Sequence, residues 1–190
     1  MRNFEIQLFK YIFFALPFAY AIMFAPFGFG SYDGGFILGL SWQFVSGSVP
    51  YSDIIYVRPA ISYLFHSLFF LFDNDYTIII DRVFFYFQVS IYSYLSILLL
   101  LKKFKTENYI YFLSSISFIF SVHTFPPMAW HTVDGIFFCV IGVFLVLNSN
   151  KNLHMFIGGV FLMLGAFCKQ PFLLIPLLLI VYFIYNKKFK

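Results

Sequence analysis

The chain has 190 residues, 62% of them hydrophobic and 11% charged, with a mean hydropathy of +0.88 and a formal net charge of +4. Soluble domains are about 25% charged, so a globular core of this size cannot absorb the apolar surface and lipid must serve as solvent. The basic residues lie in short clusters at the ends of apolar runs, the pattern of cytoplasmic membrane flanks rather than of a nucleic-acid surface.

Six apolar segments are candidate spans in an all-α, polytopic chain. The first covers about 11–30. MRNFEIQLFK precedes it with no small-residue cleavage site after it, so the reading is a retained span rather than a signal peptide. The others cover about 83–101, 109–125, 135–147, 153–168 and 172–185, the second ending in LKKFK and the sixth in NKKFK. A seventh run, AISYLFHSLFFLF at 60–72, is short and bounded by Pro59 and DND. Charge decides its placement. If it lies on the membrane surface, Arg2, Lys10, Lys102, Lys103, Lys105, Lys151, Lys187, Lys188 and Lys190 share the cytoplasmic side, and only Arg58, Arg82 and Lys169 fall outside. Residues 31–80 then form one long outer loop with two interfacial helices, about 36–46 (Phe36, Leu40 and Phe44 on one stripe) and about 60–72. Cys139 and Cys168 sit within apolar runs and read as packing residues rather than a bridge. Gly158-Gly159 permits close packing of the fifth span.

The outer side gathers Asp33, Asp53, Asp73, Asp75, Asp81 and Asp134. A loop of about fifty residues exceeds what a connection needs and is usually functional. An unpaired charge near the membrane edge costs about 2.5–3.5 kcal/mol, so each should face water or a partner. Asp33, Asp53, Arg58, Asp134 and Lys169 together make a candidate pocket of carboxylates for proton transfer and cations for phosphate. Each has a plainer reading. Asp33 also suits a solvated Gly34-Gly35 turn, and Asp53 a helix cap or loop organiser. Arg58 and Lys169 also suit snorkelling interfacial cations. His123, His131 and Asp134 could be taken as metal ligands, although Pro126-Pro127 leaves that geometry unformed and no cofactor is expected. Asp73 and Asp75 read as a solvated turn, and Asp81-Arg82 as an interfacial ion pair. No phosphate loop or nucleophile elbow is present. A transporter would hold its charges near mid-membrane rather than at one edge.

YDGG (32–35), SGSVPYSDIIYVRPAISYLFHSLFFLF, the DR-headed second span, WHTVDG and GGVFLMLGAFCKQPFLLIP resemble, in order and topology, the GT-C membrane glycosyltransferases. Within these, the chain resembles the protein mannosyltransferase and aminoarabinose-transferase group, glycosyltransferase family 39-like. The resemblance covers nearly the whole chain. It implies inverting transfer of a sugar from a polyprenyl-phosphate donor to a glycan, lipid or protein acceptor at the outer face of a bacterial cytoplasmic membrane, with the N-terminus cytoplasmic. By the same resemblance Asp33 is the general base, Arg58 and Lys169 hold the lipid phosphate, Asp134 and His131 belong to the substrate site, and Asp53 orders the loop. Enzymes of this group continue beyond six spans, so residues 1–190 are expected to be the N-terminal module of a longer fold. The alternative is a non-catalytic membrane protein: a remnant, an accessory subunit or a carrier of lipid-linked sugar.

Overall fold

The computed structural model describes residues 3–28, 33–72, 74–149 and 151–186. Eight α-helices follow in chain order: α1 (Asn3–Phe24), α2 (Asp33–Val45), α3 (Ile61–His66), α4 (Thr77–Phe104), α5 (Ile110–Thr124), α6 (His131–Asn148), α7 (Asn152–Cys168) and α8 (Leu174–Tyr185). Short 3-10 turns extend α3 through Leu71 and lead into α8 from Gln170. No strand occurs among the described residues; Pro50 and Ile54 form one isolated bridge. Among the described residues, three helices are long and apolar enough to cross a membrane: Phe4–Phe24, Thr77–Phe104 and His131–Asn148. At 15, 17 and 12 residues, α5, α7 and α8 are shorter than a typical crossing. The outward surface is apolar, with Phe4, Ile22, Phe120 and Leu178 all largely exposed, which is compatible with a membrane protein.

The helix ends have local causes. α1 stops before Pro26, which restricts the residue preceding it. α4 is closed by Lys105 in the left-handed region (φ 55°), while Lys102 and Lys103 complement its C-terminal dipole. α5 ends just ahead of Pro126-Pro127. Four expected boundaries move. The second and fourth spans begin earlier, at Thr77 and His131, so Asp81, Arg82 and Asp134 lie inside helices rather than ahead of them. The first span begins earlier too, at Asn3, and ends at Phe24.

Consecutive long helices run antiparallel around α4. Phe85, Val89, Phe118, Val133 and Cys168 form the centre of the core. At one end Lys102 Nζ donates to Asn148 Oδ1 at 2.8 Å and lies over the Phe144 ring. At the other end Tyr20 meets His123, and Arg82 reaches the last carbonyls of α1. α6 and α7 approach along a glycine seam. A Cβ on Gly142 would come within 2.8 Å of the Gly158 carbonyl, and one on Gly165 within 3.1 Å of the Gly135 carbonyl. Both cysteines are free and buried in these two helices.

Residues of the long loop pack on the same end as Tyr20 and Arg82. Ser41 Oγ on α2 donates to the Tyr63 carbonyl of α3 at 2.8 Å, and Ile37, Leu40, Ile54, Tyr63 and Ala129 form a second small core there. The expected stripe of Phe36, Leu40 and Phe44 is split. On α2, Ile37, Leu40 and Ser41 face inward, while Phe36 and Phe44 are exposed. On α3 and its extension the polar residues Ser62, His66 and Ser67 are the buried ones. An interfacial helix would point them to water. Here Ser62 and His66 point into the bundle because partners on α4 and α6 await them, while Ser67 Oγ donates to the Leu64 carbonyl.

Candidate functional site

Asp134 is fully buried in the first turn of α6, where a negative charge is favoured by the helix dipole. Its Oδ2 accepts a hydrogen bond from Ser62 Oγ at 2.7 Å, and its Oδ1 accepts one from Gln88 Nε2 at 3.0 Å. His66 Nε2 lies 3.1 Å from Oδ2. On the other side of the imidazole, Nδ1 is 2.5 Å from Asp81 Oδ1. That contact is an ion pair by distance. His66, Asp81 and Asp134 are each about 1% exposed or less. Burial opposes a charge on His66, but Asp134 first and Asp81 second overcome it, pushing its pKa up to about 10. The ring is therefore an imidazolium held between two carboxylates from α4 and α6.

The two cations that the sequence singles out meet on consecutive residues. Arg58 Nη1 approaches the His131 ring, 2.6 Å from Nε2, and Lys169 Nζ donates to Thr132 Oγ1 at 3.1 Å. Both flank the first turn of α6, whose dipole favours an anion. Arg58 is exposed and Lys169 half-buried, so their charges are accessible at this end of the bundle.

Asp53 orders its loop. Its Oδ2 accepts from the Val49 N–H at 2.8 Å, and its own N–H donates to the Val49 carbonyl, beside Tyr51 at φ 65°. No helix begins at Ile54, so the capping alternative is corrected to loop ordering. Asp33 opens α2; its side chain, like all of Asp73, lies outside the described residues. The next residue, Gly34, lines a cavity of about 110 Å³ with Asp81, Arg82 and Met128. Its α-carbon faces Met128 closely enough that a Cβ would collide.

Arg82 is not the ion-pair partner of Asp81 expected from their adjacency. Its Nη2 donates to the Phe24 carbonyl at 3.0 Å and also to the Phe27 carbonyl, tying down the C-terminal end of α1. No group of three or more His, Cys, Asp or Glu side chains placed to hold a metal ion occurs among the described residues. Sequence reasoning does not single out His66 or Gln88. The i, i+4 spacing of Ser62 and His66 within an apolar run is the signal that points to them, because it sets two polar groups on one helix face. Comparison with protein families, with curated proteins and with solved structures finds no match to this chain.

Proposed function

We propose that the chain is a lipid-linked sugar transferase of GT-C type, or the N-terminal module of one, with six membrane crossings and residues 31–80 at the outer face. The observation that carries this reading is the convergence of Arg58 and Lys169, 111 positions apart, on His131 and Thr132 at the start of α6. A guanidinium, an ammonium and a helix N-terminus at one place are suited to a lipid phosphate. In the reaction the bond between sugar C1 and the phosphate oxygen breaks, and an acceptor hydroxyl attacks C1 from the opposite face. The acceptor proton passes to a carboxylate, and polyprenyl phosphate leaves. The leaving group is already an anion, so charge stabilisation serves it better than a proton. Inversion requires one carboxylate on the acceptor side, and that role falls to Asp33.

Asp134 and Asp53 take supporting parts in this scheme. The oxygens of Asp134 are occupied by Ser62, His66 and Gln88, so it holds α3 and α4 against α6 and thereby fixes the turn that carries His131 and Thr132. The test is transfer from a radiolabelled polyprenyl-phosphate sugar in membranes containing the protein. Asp33→Asn is expected to abolish transfer with insertion unchanged. Transfer retained at the parent rate would remove Asp33 from the base role, and no transfer by the parent chain, alone or within its full-length context, would remove the reading.

A further inference from the structure

The cavity beside Gly34 does not end within the bundle. It shares Gly28, Arg82 and Pro127 with a wider groove of about 300 Å³ that opens sideways between α1, α4 and α5. The groove walls are Tyr20, Phe24, Phe27, Tyr86 and His123, with Arg82 at its inner limit. Phe27 is 70% exposed and Phe24 44% exposed, so the outer wall faces the surroundings of the bundle. Arg82 is 3% exposed, and its Nε has no hydrogen-bond partner among the described residues. A buried guanidinium at the end of an apolar, laterally open groove is complementary to a molecule with an anionic head and a hydrocarbon tail. A soluble anion would have no use for the apolar wall, and a protein segment would need paired backbone groups along it.

We propose that this groove admits an anionic membrane lipid sideways, with its phosphate at Arg82 and its chain along Phe24 and Phe27. The site is separate from the first turn of α6, where Arg58 and Lys169 would hold the donor phosphate. Two anionic lipids would thus approach the same end of the bundle from different sides, one at α6 and the other between α1 and α5.

The experiment uses the full chain in phosphatidylcholine vesicles doped with a photoreactive phosphatidic acid, and in parallel with the matching photoreactive diacylglycerol. Cross-links are mapped by mass spectrometry. Labelling of Phe24, Phe27 and His123 by the phosphatidic acid is expected to exceed that by the diacylglycerol about tenfold or more, the range of one charge-assisted hydrogen-bonding group. Arg82→Gln is expected to remove the preference. Because Arg82 also tethers α1, Phe27→Glu is the second variant: it sets a carboxylate in the groove from an exposed position and leaves Arg82 in place. Equal labelling by both lipids, labelling unchanged in Phe27→Glu, or full displacement by inorganic phosphate would each overturn the lipid site. Groove labelling without any sugar transfer would leave the lipid site standing and sink the transferase reading. Sugar transfer without groove labelling would sink the lipid site and leave the transferase reading standing.

Discussion

His66 on α3 and Asp134 on α6 face each other at 3.1 Å in a space closed to solvent, although 68 residues separate them in the chain. Asp81 of α4 stands on the far side of the same ring. One imidazolium therefore joins the outer loop to two long helices. Two carboxylates buried together would repel and remain costly; the cation between them makes their burial tolerable, and Ser62 and Gln88 complete the solvation of Asp134.

Removing the cation should expose that cost. His66→Ala leaves Asp81 and Asp134 buried without their shared partner, a change that typically costs about 3–5 kcal/mol. The expected result is a large drop in the thermal midpoint of the detergent-solubilised protein, with α3 becoming accessible to protease. His66→Gln retains a donor for only one carboxylate and should fall between the two. A midpoint within a degree or so of the parent for His66→Ala would remove the ion cluster from any role in stability.

The same ring sets a pH dependence whose sign is fixed. Its pKa is raised in the folded chain to about 10 from 6.5, so the folded state binds the proton more tightly than the unfolded state. The stabilisation is therefore fully present below about pH 6.5 and is lost as pH rises through about 10. Thermal midpoints measured across that window should fall with rising pH. In His66→Gln the fall should be shallower, since the remaining slope comes from other groups.

The glycine seam yields a prediction independent of charge. Gly142 and Gly158 meet backbone to backbone, and Gly165 lies against Cys139. Gly142→Ala or Gly165→Ala forces α6 and α7 apart, an overpacking that costs about 1–3 kcal/mol. Gly159 has open space at its α-carbon, so Gly159→Ala is the control and should be neutral or slightly stabilising. The comparison is by thermal unfolding in one detergent, and equal effects at Gly142 and Gly159 would show that the seam does not hold the pair.

Apolar runs made the helical segments legible, including the two short helices between α1 and α4. Their starts were less so, because Asp81, Arg82 and Asp134 look like loop residues when each is read alone. What neutralises them lies far along the chain: His66 for the two acids, and the carbonyls of Phe24 and Phe27 for the arginine. No local window contains both members of any such pair. The seam was half legible. Gly158 stood out beside Gly159, whereas its true register with Gly165, seven residues on, and with Gly135 and Gly142 requires knowing that α6 and α7 are neighbours. Arg58 and Lys169 were legible as charges but not as companions, since only the fold brings both to the first turn of α6.

The proposed orientation, with residues 31–80 at the outer face, is tested at the two ends of α4. Tyr76 precedes α4 and is 60% exposed, while Lys105 follows it and is also exposed. In cells, Tyr76→Cys should react with an impermeant maleimide added outside, and Lys105→Cys only after the membrane is opened. The native Cys139 and Cys168 are about 1% exposed or less and should stay silent. Labelling of both positions from outside would place α4 flat rather than across the membrane, and reversed labelling would invert the orientation.

Arg58 and Lys169 provide the last prediction, because a shared ligand makes two distant residues interdependent. Each contacts a neighbouring residue of one helical turn, and each would lose about 1.5–3 kcal/mol of binding to a phosphate on truncation to Gln. If both grip the same phosphate, removing the first cation loosens the anion, and the second removal then costs less than it does alone. The double variant should therefore bind a polyprenyl-phosphate probe more tightly than the two single losses predict, with a coupling of about 0.5–3 kcal/mol. Strict additivity would mean that the two cations serve separate anions or none. The measurement is a four-point cycle of probe affinity in vesicles of fixed composition and fixed salt, since screening alters exposed Arg58 more than half-buried Lys169. A salt titration of the single variants gives a further check: the contribution of Arg58 should shrink faster as ionic strength rises.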